Sequence, residues 1–263
     1  MLMLFCALMI FPVLYIVMTS FKTRGDVLTS PPTFFPPVWS LDGYQQVFRS
    51  NMLRYYIPNS FINSLLSSLL VMPIAGLAGY VFSRYRFRGS RALLLAILGI
   101  MMIPGLTNLI PLYRMASDLQ LLSTNTAMIA VYVGGGLPFS IWITKSFFDS
   151  IPRELEEAAL IDGATPLSAL WRIVVPLAMP GLFAAFLLNF VDTWNEFLAA
   201  VVLLSRVDTK TATVGLLDFQ SQFEVAYHVQ AAGCVMIALP VVVLFLLTRK
   251  IFFQAMLEGS LKG

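Results

Sequence analysis

Few residues in this chain have the type and spacing to do chemistry, and they fall in two places. The first is a row of polar side chains, Asn189, Asp192 and Glu196, set three and four residues apart inside an otherwise apolar stretch. That spacing puts them on one face of a helix. Ionisable groups within an apolar helix turn towards a bundle interior or a watery cavity, so this face is a candidate lining for the path of a polar solute. Two other readings stand beside it: a contact that holds two membrane subunits together, and solvation at the membrane boundary. Trp194 and Asn195 lie between Asp192 and Glu196, and the indole could stack on a sugar or anchor the helix at the interface. The second place is F-D-S-I-P-R-E-L-E-E-A-A-L-I-D-G, residues 148–163, where Glu154, Glu156 and Glu157 precede paired alanines and a glycine. Several carboxylates beside a small-residue face suit a helix that docks on a basic and apolar partner, or a solvated interfacial helix.

Enzyme chemistry finds little support. His228 is the single histidine, has no companion ligand in the sequence, and is assigned no function. Cys6 and Cys234 sit in apolar runs at no metal or redox spacing. No G-x-x-x-x-G-K-[ST] loop occurs, so ATP bound by that route must be bound by another polypeptide. No metal or cofactor is expected on this chain.

The elements that position these residues follow from composition. Of 263 residues, 58% are hydrophobic and 12% charged, against roughly 25% charged in a soluble domain. The apolar residues gather in runs near the length of about 20 that a helix needs to cross a bilayer. Six spans are predicted, at about 1–21, 59–83, 92–113, 125–144, 177–204 and 229–248. Each is helical, because an open strand edge in hydrocarbon leaves backbone groups unpaired. The fold class is therefore an all-α membrane protein, a single transmembrane domain over 1–263. The first run lacks the basic start and cleavage site of a signal peptide and is read as a retained helix. Its position at Met1 suggests a shortened or late-started N-terminus.

Orientation follows from Arg84, Arg86, Arg88 and Arg91, four arginines in eight residues between the second and third spans. Basic residues in short loops stay cytoplasmic, which puts both termini and the loop 149–176 in the cytoplasm, in agreement with Arg249, Lys250 and Lys262. Lys22 and Arg24 argue the other way, but they open a loop of more than 30 residues. That loop carries P-P-T-F-F-P-P from Pro31 to Pro37, which forbids continuous helix and makes a surface cap or contact loop. The net charge of +3, without a basic stripe, argues against nucleic acid. In the fourth span Gly134, Gly135, Gly136 and Pro138 predict close helix packing, with a break beside a cavity as the alternative.

Within 149–176, Ser150 is a candidate cap, Pro152 suits a first turn, and the three glutamates favour a helix N-terminus. A short helix is predicted to about Asp162, ended by Gly163 in the left-handed conformation. Pro166 then starts a second helix and Pro176 stops it. The prediction is a helix-turn-helix on the cytoplasmic surface.

Glu157-Ala158-Ala159, three residues, Gly163, nine residues, Ile173, one residue and Val175-Pro176 resemble the EAA signature of ABC importer permeases, with Val175 in place of leucine the one departure. The ordered strings T-S-F-K, P-P-T-F-F-P-P, I-P-L-Y, W-N-E-F and L-K-G resemble the carbohydrate branch, and within it the second permease subunit of maltose-type importers. The resemblance implies that Glu157, Ala158, Ala159, Gly163, Ile173 and Pro176 couple to an ATPase, with Ala158 and Ala159 giving a close fit. It further implies a second permease subunit, two ATPase subunits carrying ATP and Mg, an external solute-binding protein and a sugar or polyol cargo. The tail 258–263 resembles a C-terminal extension between the ATPases. The alternative is a secondary transporter or channel, which needs no ATPase and commonly shows inverted repeats.

Overall fold

The computed structural model describes residues 1–220 and 225–260. In chain order the helices are α1 (Leu2–Ser20), α2 (Arg24–Val27), α3 (Asp42–Arg49), α4 (Ile57–Arg84), α5 (Ser90–Ile100), α6 (Leu109–Asp118), α7 (Asn125–Ser150), α8 (Glu154–Ile161), α9 (Pro166–Ala169), α10 (Val175–Asn195), α11 (Leu198–Leu203), α12 (Ala212–Gly215) and α13 (Tyr227–Ser260). Among the described residues there is no strand, and a single antiparallel bridge joins Gln220 and Val225. The tail 258–263 lies outside the residues whose side chains are described.

Polarity is distributed as lipid demands. On α4, Asn63, Ser64, Ser67 and Ser68 are fully buried, while Leu66, Leu69 and Leu70 are about half exposed. In water that pattern would be inside out. In a bilayer the outward leucines meet acyl chains, and small polar residues let helices approach and hydrogen-bond. Among the described residues four helical stretches are long and apolar enough to cross a membrane: Met52–Arg84, Asn125–Ser150, Pro166–Asn195 and Tyr227–Lys250.

The third expected span is bent. Ser90–Ile100 and Gly105–Asp118 meet at 86°. Pro104 has no N–H to continue α5 and disfavours helix at Ile103, and Gly105 follows it. The pair counts as one broken span or as a re-entrant segment. The fourth span runs to Ser150 instead of 144, with Lys145 and Asp149 paired one turn apart at 2.5 Å on its last turns. Ser150 therefore closes α7, its hydroxyl donating to the Phe147 carbonyl at 2.8 Å. Pro138 is accommodated inside α7.

Pro176 does not stop a helix. α9 passes through a π-helical turn, Leu170–Val174, straight into α10. The wider turn makes room for the proline ring, which would otherwise press on the carbonyl four residues back. At its other end α10 stops at Asn195, so the fifth span ends before the expected 204.

The chain divides into two compact units. The first comprises 1–62, 122–125 and 196–244. In it the Pro31–Pro37 loop folds back on α1, where Phe34 lies 5.5 Å from the ring of Phe11. Lys22 is only 2% exposed: its ammonium donates to the Thr33 carbonyl and sits 5.4 Å from the centre of the Tyr15 ring. His228 is also buried, with Nε2 3.2 Å from a carboxylate oxygen of Asp42. The segment 208–218 is tied to the chain around the start of α4. Asn59 donates to the carbonyls of Asp208 and Lys210 at 2.8 and 3.1 Å, and Ser60 accepts from the Ala212 N–H at 2.8 Å.

The second unit comprises 63–121, 126–195 and 245–263. Among the described residues its apolar packing includes two clusters. Val71, Ala75 and Ile141 form one, and Tyr80, Phe148, Ile151, Leu170, Val174 and Ala178 the other.

Candidate functional site

The acidic segment builds a short, exposed helix with a sharp turn after it. α8 begins at Glu154, with Glu154, Glu156 and Glu157 all in its first turn, where carboxylates complement the positive end of the helix dipole. Arg153 precedes it and makes no side-chain cap. The helix ends as its sequence predicts. Gly163 adopts φ +87°, the Ala164 N–H reaches back to the Ala159 carbonyl at 2.9 Å, and the Gly163 N–H reaches Leu160 at 3.1 Å. Those two bonds are the Schellman pattern that a left-handed residue permits. Thr165 then caps α9 by accepting from the Ser168 N–H at 3.3 Å.

Of the residues singled out here, Glu157, Ala158 and Gly163 are exposed, whereas Ala159 is buried. The expectation that both alanines present a close fit to a partner is corrected for Ala159. On a helix of 3.6 residues per turn, neighbours in sequence point about 100° apart, so Ala159 turns inward when Ala158 faces out. Ile173 is half-buried and Pro176 exposed, both on the continuous stretch that leads into α10. The surface has an apolar part as well: Ile161 is 86% exposed, and Leu155, Leu160 and Leu167 are exposed too.

Sequence reasoning missed a bracket beneath α8. Glu156, read only as one of three acids, is drawn inward. Its Oε1 accepts from Arg84 Nε and its Oε2 from the Tyr80 hydroxyl at 2.9 Å. Arg84 donates further to the Ile151 carbonyl at 3.0 Å, and Arg153 to the Ser83 carbonyl at 2.6 Å. Arg84 therefore leaves the solvated arginine cluster, while Arg86, Arg88 and Arg91 stay exposed.

The polar row of the fifth span separates. Asn189 is buried and donates to Ser68 Oγ at 2.9 Å, a contact between α10 and α4. Gly136 of α7 makes room for it: a Cβ there would collide with Asn189 Oδ1, whereas Gly134 and Gly135 face open space. Close packing thus explains one glycine of the three. Trp194 is 1% exposed and stacks on Phe190 with ring centres 5.9 Å apart. Asn189 and Trp194 are thus both closed off within the chain, with no open polar surface at either. Helical spacing put Asn189 on a polar face, but that side of it is met by α4 and α7.

Glu196 lies past the end of α10, in the break before α11. Its carboxylate accepts from the backbone N–H groups of Ala199 and Ala200 at 2.7 and 3.1 Å, and its carbonyl accepts from Thr213 at 2.7 Å. It caps a helix start instead of extending the row. Asn195 is exposed and donates to the Val191 carbonyl at 2.8 Å. Asp192 is exposed and has no hydrogen-bond or ion-pair partner among the described residues. The open polar surface of this span is thus Asp192 and Asn195. Among the described residues no cluster of metal-ligating side chains occurs.

By class the structure is a multi-helix integral membrane protein with polar, small-residue helix contacts and a short acidic helix outside its spans. The chain belongs to the family described as "Binding-protein-dependent transport system inner membrane component", which matches residues 71–259. It is 37% identical to the sulfoquinovosyl glycerol transport system permease protein SmoH of Agrobacterium fabrum, over 97% of this chain and 89% of that one. It is 36% identical to the maltodextrin transport system permease protein MdxG of Bacillus subtilis, over 87% and 83%. Among solved structures, a chain of a bacterial ABC transporter that imports the acidic polysaccharide alginate superposes with a TM-score of 0.79 at 25% identity, covering 95% of this chain and 93% of that chain.

Proposed function

We propose that this chain is one of two permease subunits of an ATP-driven importer for a sugar or related polyol, and that α8 with the Gly163 turn is its contact with a separate ATPase. The observation that carries the reading is the form of α8: an exposed helix bearing Glu157, Ala158 and Ile161, ended by a glycine at φ +87°. A short rigid projection of this kind can be gripped and moved as a body. The cargo class rests on the sugar-derived solutes named for SmoH and MdxG.

In this reading six spans cross the membrane, the bent pair α5 and α6 forming one and α1 another. The acidic projection and both termini lie in the cytoplasm. The burial of Lys22 supports that orientation, because a charge bound to Thr33 and Tyr15 is not a free basic anchor. An external solute-binding protein delivers cargo, and ATP with Mg acts on the ATPase subunits. Glu157, Ala158, Gly163, Ile173 and Pro176 form or carry the docking surface, and Ala159 holds it to the bundle. Asp192 and Asn195 are the residues on α10 left to face either the solute path or the second permease.

Reconstitution in liposomes tests this. Uptake is expected only with the ATPase, the partner permease, the binding protein and ATP all present. Uptake by this chain alone, driven by an ion gradient, would establish the secondary-transporter alternative.

A further inference from the structure

Helix is interrupted at 151–153 before α8 and at 162–165 after it, so α8 does not continue as helix into a span on either side. It packs on α9 and on the π-helical turn that leads into α10, and what joins it to α4 is a set of side chains. Both oxygens of Glu156 are taken by residues one turn apart on α4, Tyr80 and Arg84. Arg84 also holds the Ile151 carbonyl, and Arg153 holds the Ser83 carbonyl. The side chains of Arg84 and Glu156 are 7% and 13% exposed. Tyr80 continues the bracket into the apolar cluster with Phe148, Leu170 and Val174. A charged pair held this closely, with further hydrogen bonds from Tyr80 to Glu156 and from Arg84 to Ser83 and Ile151, has one preferred geometry.

The geometry points to Arg84, Glu156, Tyr80 and Arg153 as a positioning bracket that makes α4 move with α8, so that displacement of α8 drives the second span. Glu156 is thereby separated in role from its neighbour. Glu157 faces outward to a partner, while Glu156 faces inward and fixes the lever to the span. The inference rests on the reading of α8 as the ATPase contact.

The test uses the complete importer in liposomes and reads two quantities, ATPase retained on the permease and solute taken up per ATP hydrolysed. For Glu156→Gln and Arg84→Gln, ATPase retention is expected within twofold of wild type and uptake per ATP is expected to fall about tenfold. The exchange Arg84→Glu with Glu156→Arg is expected to regain at least threefold over either single variant. Tyr80→Phe keeps the ring in its cluster and removes one hydrogen bond. It guards against variants that fail to fold and is expected to lower uptake per ATP about two- to threefold. A bracket that merely stabilised the fold would lower the yield of complex without changing that ratio in the complexes that form. The inference is overturned if the ratio stays at the wild-type value in Tyr80→Phe and in every charge variant that assembles, or if Glu156→Gln loses the ATPase itself. Failure of the underlying reading looks different: Glu157→Lys and Gly163→Asp would then both keep the ATPase and full uptake.

Discussion

Gly163 offers a perturbation whose size can be worked out from the backbone. A Cβ placed on it meets no atom within 4 Å, so substitution there costs no packing in the chain itself. What it costs is conformation, because φ is +87° and L-residues other than asparagine and aspartate rarely adopt that region. For Gly163→Ala the penalty is about 1–2 kcal/mol, which lowers the population of the correctly turned α8 by roughly 5–30-fold relative to competing forms. Gly163→Asn tolerates the left-handed conformation better and should lose only a few-fold. Gly163→Asp has a similar backbone tolerance but adds a charge at the proposed joint, so its excess defect over Gly163→Asn isolates the joint from the turn. The assay is co-purification of the ATPase with the permease, followed by uptake in liposomes. The expected order of activity is wild type, Asn, Ala, with Asp well below Asn. Equal uptake by wild type, Ala and Asp would refute both the conformational argument and the assignment of the turn.

Gly136→Ala forces Asn189 away from Ser68. Overpacking costs roughly 1–3 kcal/mol and the lost interhelical bond about 0.6 kcal/mol, so the melting temperature of the purified complex should drop. The double change Gly136→Ala with Asn189→Ala should be less harmful than the sum of the two, and strict additivity would contradict the contact. Glu196→Ala removes a cap worth about 1 kcal/mol and should lower stability more than Glu196→Gln, which still accepts one of the two N–H bonds. Solute affinity should stay unchanged in both, and a selective rise in KM would return Glu196 to the pathway. Asp192→Asn should alter either uptake or association with the second permease, whereas wild-type values for both would remove the residue from either role.

Part of the local backbone logic was legible from the sequence, and long-range pairing was not. The end of α8 was readable because a glycine after a helical run has one common geometry, and it is found at Gly163. The bend near Pro104 was equally written in the sequence as Ile-Pro-Gly, but the apolar count over 92–113 outweighed it, since hydropathy measures length in lipid and ignores missing N–H groups. Asn189, Asp192 and Glu196 were correctly spaced for one helical face. Spacing cannot say what that face meets, and α4 and α7 cover part of it while the helix ends before Glu196. Arg84 looked like one of four cytoplasmic charges because its partner, Glu156, is 72 residues away. Ala159 turned inward through helix phase, which a motif written as three letters does not encode.

Contact between α8 and an ATPase is the central claim, and cysteine cross-linking at the tip of the helix tests it directly. In a background carrying Cys6→Ser and Cys234→Ser, Ile161→Cys places a thiol at a site that is 86% exposed. In inside-out vesicles containing the assembled importer, that thiol should react with an impermeant reagent and form a cross-link to the ATPase subunit. Labelling only from the outer side of intact cells, or an assembled importer in which the introduced thiol never cross-links to the ATPase, would contradict it.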